Sequence, residues 1–372
     1  MISENNSENS QKIAPMNESI LDALAKAYGL KTGQIRIKRF GSGHIHKTYR
    51  VDVDANAFIL QEFNDAVFTH PERISGNLEY LMGQFDPSDL PFVLPLPIPN
   101  KGGAFFTHLA EGLYRLFPFV SGVTQDAIVQ KGHAKIASEA FARFIQIFLQ
   151  ADAGRMEDTI AHFHNLEIRY QQFDAALKNP RVQKDSETEK MVDFYLERKD
   201  LLEKYGQFRK QLPLRVTHND TKINNLIFAE NLDRVNALID LDTIMAGFVF
   251  YDFGDLVRTV ACTRDESSLE WDQIQVDMEK YEGLLEGFYS ILGGKIQDEE
   301  LDSLPFGGEM MTLIMGVRFL TDHLNGNIYY QVDYQEQNLH RAKNQAALLS
   351  ALIEKREDIS ELEGKLRKAL IR

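Results

Sequence analysis

The sequence predicts an α+β chain, with a small lobe built on an antiparallel sheet followed by a larger helical lobe. Three observations predict it. Short, alternating apolar runs bounded by Gly, Asn and Asp occupy residues 35–117. From Gln125 onward the apolar spacing lengthens to a helical period. The change falls near 118–123, which divides the chain into a first lobe of 15–120 and a second of 121–372. Residues 1–14 are polar, rich in Asn, Ser and Glu, and are expected to be disordered.

The elements follow in order. Asn17 to Leu30 reads as a helix with Ile20, Leu21, Leu24 and Ala25 on one face, stopped by Gly29. Ile35–Phe40, Ile45–Asp52 and Ala57–Phe63 alternate as strands. Pro71–Met82 is a helix opened by its proline. Pro91–Asn100 is too rich in proline for a central element. Phe105–Leu109 and Leu113–Phe117 complete a sheet of about five strands with a helix beside it. Beyond 125, Ile128, Ile136, Ala140, Phe141, Phe144 and Phe148 mark a helical face. Further helices are expected at 187–207, 277–292, 299–320 and 333–366, the last open to a break.

Composition narrows the partners. The chain has 372 residues and a net charge of −14, which disfavours a nucleic-acid backbone as ligand. It has one cysteine, Cys262, so no internal disulfide forms, as suits a reducing compartment. There is no signal-peptide core and no apolar run of membrane-spanning length. A cytoplasmic protein without a membrane partner is expected; oligomeric state is not encoded in any motif.

The chemistry concentrates in His218-Asn219-Asp220-Thr221-Lys222-Ile223-Asn224-Asn225 and in Ile239-Asp240-Leu241-Asp242. Each segment adjoins a strand-like run: 214–217 before His218, 226–228 after Asn225, and 235–241 reaching Asp240. Asp240 and Asp242 alternate with Leu241, so an extended strand would place them on one side. Phosphoryl transfer needs an acceptor oxygen in line, a proton acceptor and a cation that neutralises developing charge. Asp220 is the candidate base. Asn225 and Asp240 offer hard oxygen ligands suited to Mg²⁺. His218 is placed with the catalytic group, bracing the loop. Burying several acids without a cation or donor would be costly, which argues against a merely polar loop.

Gly41-Ser42-Gly43 links two strands, and its amides can approach phosphate oxygens. A structural hairpin reads equally well. It is neither a Walker loop nor the spaced-glycine loop of protein kinases. His44 either satisfies a turn carbonyl or reaches the acceptor substrate.

The pattern His218-x-Asp220, Asn225 and then Asp240 resembles the aminoglycoside phosphotransferase and choline kinase superfamily. The resemblance implies a protein-kinase-like two-lobed fold. A closer similarity runs through Phe58–Gln61, Thr159–His164, Arg215–Lys222, Ile239–Met245, Asp252–Asp255 and Gly316–Leu320. These resemble the N-acetylhexosamine 1-kinases, which use ATP and Mg²⁺ to phosphorylate the anomeric hydroxyl of N-acetylglucosamine or N-acetylgalactosamine. The resemblance implies Asp220 as base and Asn225 and Asp240 as Mg²⁺ ligands. It implies Phe117–Val120, with Phe117 and Phe119, as the segment meeting adenine. It matches Glu79 to the helix glutamate that braces a phosphate-binding lysine. Where protein kinases place that lysine, this chain has Gln61, and Lys47 on the neighbouring strand is the candidate replacement. Asp252 and Asp255 are expected to order the catalytic loop and helical lobe, with Asp255 and Arg258 paired at i,i+3 on a first helical turn.

For a sugar acceptor the candidates are His44, Asp242, Arg318 and Tyr329. Arg318 lies in an apolar helix, so it serves the substrate or pairs with Asp322. The alternatives are a kinase of another sugar, of a choline-like or aminoglycoside alcohol, or an inactive nucleotide-binding scaffold.

Overall fold

The computed structural model describes residues 18–30, 35–41 and 45–371. The expected disorder of residues 1–14, and the candidates Ser42, Gly43 and His44, lie outside the described residues. The chain forms two compact units, Met1–Thr69 with Pro95–Phe119, and His70–Leu94 with Val120–Arg372. Residues 70–94, expected in the first lobe, therefore join the larger unit.

The smaller unit contains α1 (Glu18–Tyr28), β1 (Ile35–Arg39), β2 (Lys47–Val53), β3 (Asn56–Phe63), β4 (Thr107–Leu109) and β5 (Gly112–Pro118). The sheet is antiparallel in the order β1-β2-β3-β5-β4. Tyr49, Val51, Leu60, Tyr114 and Leu116 alternate onto one face and pack on Ile20 and Leu24 of α1. The helix beside the sheet within this unit is thus α1. The opposite face carries Thr48, Gln61 and Arg115, joined in register across β2, β3 and β5.

The larger unit holds α2 (Pro71–Met82), α3 (Lys131–Ile147), α4 (Leu166–Lys178), α5 (Ser186–Leu196) and α6 (Asp200–Gln211). Next come β6 (Arg215–Thr217), β7 (Leu226–Phe228), β8 (Val235–Leu238), β9 (Met245–Gly247) and α7 (Val249–Leu256). It closes with α8 (Met278–Leu292), α9 (Asp298–Asp302), α10 (Leu304–Leu324), α11 (Gln337–Glu354) and α12 (Arg356–Leu370). Two antiparallel ribbons, β6–β9 and β7–β8, sit among these helices. Asn165, Asp185 and Asp277 cap α4, α5 and α8 by accepting amides of their first turns.

The helix expected over 187–207 is two helices. Tyr195 and Leu201 lie about 120° apart on a continuous helix. The charged break at 197–199 lets both enter one core with Tyr205. The strand expected to 241 ends at Leu238; Asp240 takes φ 61° and 241–243 form a single helical turn. Asp240 and Asp242 therefore do not share the side of a strand. α4 escapes the sequence reading, and α7 starts at Val249, before the helix whose first turn is expected to hold Asp255 and Arg258. Every residue of α7 is buried, and Asp252 and Asp255, on one face at i,i+3, turn to the chain's own amides and to Arg258 rather than to water. α7 and α10 meet at Gly254 and Gly307, where a Cβ on Gly254 would stand 2.1 Å from the Gly307 carbonyl oxygen.

Candidate active site

The larger unit builds its polar centre from two ribbon ends. β6 delivers His218 and β9 begins just after Thr243, with Thr217 opposite Met245. β7 and β8 bring Asn225 and Ile239 together, and the Ile239 amide donates to the Asn225 carbonyl at 2.9 Å. Thr243 Oγ1 closes the gap by donating to the His218 carbonyl at 2.8 Å.

The loop between these ribbons is strained and heavily bonded. Asn219 has φ 64°, a left-handed conformation costing about 1–2 kcal/mol for a non-glycine residue. Its side-chain amide donates to the Thr217 and Thr243 carbonyls, each at 3.1 Å. Asp252 of α7 accepts the His218 and Asn219 amides at 2.9 and 2.8 Å. Thr221 Oγ1 donates to the Asp252 carbonyl at 2.7 Å. His164 Nε2 donates to the Asn219 carbonyl at 2.8 Å from just before α4. Such over-determination is what sustains a disfavoured backbone. Gly247 is required here, since a Cβ would stand 2.3 Å from Thr217 Oγ1.

Asp220 projects from this scaffold. One carboxylate oxygen lies 3.0 Å from Lys222 Nζ, and the other accepts from Asn225 Nδ2 at 3.2 Å. Burial pushes this carboxyl up, but the charge of Lys222 and the hydrogen bonds from Lys222 and Asn225 hold it below the usual aspartate value. Burial lowers His218, which stays neutral. Its Nε2 donates to the Ile239 carbonyl at 3.1 Å, and its Nδ1 accepts the Asp220 amide at 3.3 Å. Both ring nitrogens are committed, so His218 has no lone pair left to take a proton. Burial likewise pulls His164 down to about 4. It raises Asp252 to about 7 against the pull of its two amides.

Asn225 also donates Nδ2 to the Asp220 carbonyl at 2.8 Å, which leaves its Oδ1 as a free oxygen donor. Asp240 is exposed directly after the Ile239–Asn225 link. Among the described residues no group of three or more His, Cys, Asp or Glu side chains gathers for a metal. The pair Asn225 and Asp240 instead suits Mg²⁺, which keeps several waters and takes phosphate oxygens alongside one or two side chains.

The other candidates sort by place. Asp242 is 2% exposed in its helical turn. Arg318 and Tyr329 line one cavity of about 620 Å³ beside α4 and the end of α10. The Arg318–Asp322 pairing does not form. Asp322 instead accepts the amides of Ile328, Tyr329 and Tyr330. Arg258 pairs with Asp255 at 2.8 Å and with Glu266, on the last turn of α7 and beyond rather than on a first turn.

In the smaller unit Gly41 has φ 75° after β1. Lys47 pairs with Glu62 at 2.5 Å on the α1 face of the sheet. Gln61 faces the other way, so Lys47 does not stand in for a cation at that position. On the Gln61 face the neighbouring cation is Arg115, whose Nε donates to Gln61 Oε1 at 2.9 Å. Arg115 is 2% exposed, and its guanidinium lies 4.9, 5.0 and 5.6 Å from the rings of Phe63, Phe117 and Phe106. Phe119 lies beneath the Arg50 guanidinium at 4.3 Å, and its amide donates to the Ala57 carbonyl at 3.2 Å. Glu79 is exposed on α2 and makes no hydrogen bond or ion pair among the described residues.

A strained His-x-Asp loop, an Asn at its far end and an Asp beyond the next ribbon coincide with a match to the sequence profile of the phosphotransferase enzyme family (APH), over residues 36–283. The chain belongs to that family. This phosphotransferase is an ATP-dependent small-molecule kinase acting on an alcohol. Its fold is similar to that of a microcompartment-associated aminopropanol kinase (TM-score 0.63, 17% identity), covering 91% of this chain and 98% of that one. It is similar to choline kinase from Cryptosporidium parvum Iowa II (TM-score 0.58, 14% identity), covering 93% and 97%. It is also similar to an ADP-bound aminoglycoside phosphotransferase (TM-score 0.56, 12% identity), covering 90% and 99%. At these identities the likeness is one of fold, and it is the protein-kinase-like arrangement the sequence predicts. Among the described residues no helix is long and apolar enough to cross a membrane.

Sequence reading assigns no role to Lys222, Asn219, His164 or Arg115 in this phosphotransferase. Arg115 did carry a signal, a lone cation within the apolar run Leu113–Phe117. Asn219 carried none, because its left-handed backbone appears only in three dimensions.

Proposed function

We propose that this phosphotransferase moves the terminal phosphoryl group of ATP to a sugar hydroxyl, with Asp220 as the base. The observation that carries the reading is the Asp220 carboxylate held between Lys222 and Asn225 while both His218 nitrogens are committed. Asp220 takes the hydroxyl proton as the acceptor oxygen bonds to phosphorus and the bond to ADP breaks. The lowered pKa of Asp220 keeps it ionised and ready at neutral pH. Lys222, beside it, supplies positive charge to the transferring group. Asn225 and Asp240 would hold Mg²⁺, which would neutralise charge on the triphosphate.

The specific acceptor proposed is the anomeric hydroxyl of an N-acetylhexosamine, on the strength of the sequence resemblance. The cavity beside α10 speaks against a cationic alcohol. An aromatic surround suits a quaternary ammonium. Here Phe163, Tyr329 and Tyr330 already surround the chain's own Arg318 at 5.1 to 5.8 Å.

Phosphorus NMR of the product from ATP, Mg²⁺ and N-acetylglucosamine or N-acetylgalactosamine tests this. A phosphate coupled to the anomeric proton is expected. A phosphate on another hydroxyl, or on an amino alcohol instead, would overturn the acceptor assignment.

A further inference from the structure

The cavity of about 620 Å³ has an unusual charge balance. Arg169, Arg181 and Arg318 line it, together with Asp322, Tyr329 and Tyr330. A chain of net charge −14 thus turns a positive wall inward. Asp322 is the one carboxylate in this lining, and it is fully used. It accepts three backbone amides at 2.9 to 3.0 Å and Asn338 Nδ2 at 2.9 Å.

Arg318 is 8% exposed and has no carboxylate within ion-pairing distance among the described residues. Its contacts are the Met315 sulfur at 3.4 Å and the three aromatic rings. Arg169 donates to Gln172 Oε1 and the Phe163 carbonyl, while its Nε is buried without a partner. Burial, and then the charge of Arg318, pull the Arg169 guanidinium down to about 10. The Tyr330 hydroxyl is also buried and unpartnered.

A buried charge without a counter-charge is costly, because it stays uncompensated. Ring faces recover only part of that cost. Two adjacent guanidiniums left in this condition are matched by an oxyanion, carboxylate or phosphate, which accepts their paired N–H groups.

We infer that this cavity is an oxyanion site that takes the carboxylate or phosphate of a small molecule. Resting on the kinase reading above, that molecule is the acceptor. The acceptor is then an N-acetylhexosamine that carries a carboxylate or phosphate apart from its anomeric hydroxyl. The Arg318–Phe163 contact and the neighbouring His164–Asn219 bond link the cavity to the Asp220 loop.

Calorimetric titration of the full chain, with ADP and Mg²⁺ present, tests the site with two pairs of probes. One pair is glucuronate and glucose; the other is N-acetylglucosamine 6-phosphate and N-acetylglucosamine. The charged member of at least one pair is expected to bind at least tenfold more tightly, with the advantage shrinking as salt rises. The pair that responds identifies carboxylate or phosphate. Arg318→Gln should abolish the advantage, and Arg169→Gln, at a less buried position, should reduce it several-fold. If Arg318→Gln fails to fold, the wild-type pairs and Arg169→Gln still decide. Equal binding within both pairs, with ADP bound normally, overturns the oxyanion site and leaves the kinase reading standing. Charge preference without phosphoryl transfer to any probe supports the site and counts against the acceptor reading.

Discussion

The Asp220 loop and the Arg318 cavity both bury charge, and they treat it in opposite ways. In the loop the two buried carboxylates have partners supplied by the chain. Asp220 has Lys222 and Asn225, and Asp252 has two amides. In the cavity Arg318 has rings but no carboxylate, and Arg169 keeps an unpartnered Nε. Internal pairing holds a geometry ready for chemistry, whereas unpaired charge beside open volume points to a partner from outside the chain.

Breaking the loop's pairs should have the larger consequences. Asp220→Asn removes the proposed base while keeping shape, and should lower kcat on the order of 10³-fold with ADP affinity little changed. Unaltered turnover would refute Asp220 as the base. Asp252→Ala leaves the His218 and Asn219 amides buried without an acceptor. At about 1–3 kcal/mol for each orphaned group, denaturant unfolding should show a loss of about 2–5 kcal/mol. A loss below 1 kcal/mol would show that the loop relaxes and finds other partners.

The third prediction concerns pH. His164 is held neutral by burial, with its pKa lowered from about 6.5 to about 4. The unfolded chain therefore binds a proton that the folded chain refuses. The resulting stability is fully present above about pH 6.5 and is lost as pH falls through 4. Relative to wild type, His164→Gln should flatten the acid limb of stability by about 3 kcal/mol between these limits. Parallel pH profiles for the two proteins would contradict this.

The smallest effect belongs to the sheet. Gln61→Lys restores the lysine of protein kinases but sets a second cation opposite Arg115 and removes the Gln61 oxygen that accepts from it. A destabilisation of about 1 kcal/mol is expected, with no gain in ATP affinity. Tighter ATP binding would show instead that Arg115 does not occupy the role of that cation.

The sequence by itself determined the order of elements and the chemistry of the loop. Alternation and turn residues marked the five strands, since an antiparallel sheet packed on one face imposes a period of two. His218, Asp220 and Asn225 were legible because their spacing within one short segment is local. Asp240 was legible as a residue but not as a conformation, because its left-handed backbone interrupts what reads as a continuing strand.

Only the tertiary structure decided the rest. α7 turns its Asp252 and Asp255 to buried amides and to Arg258 rather than to water, so its polar face does not mark a surface helix. Lys47 and Gln61 look interchangeable along the chain, and sheet register sets them on opposite faces. Arg318 and Asp322 stand at pairing distance on a helix, yet Asp322 is claimed by the turn that follows it. Local spacing states which groups can meet. Competition among partners distant in sequence decides which of them do, and that competition leaves Arg318 for a ligand.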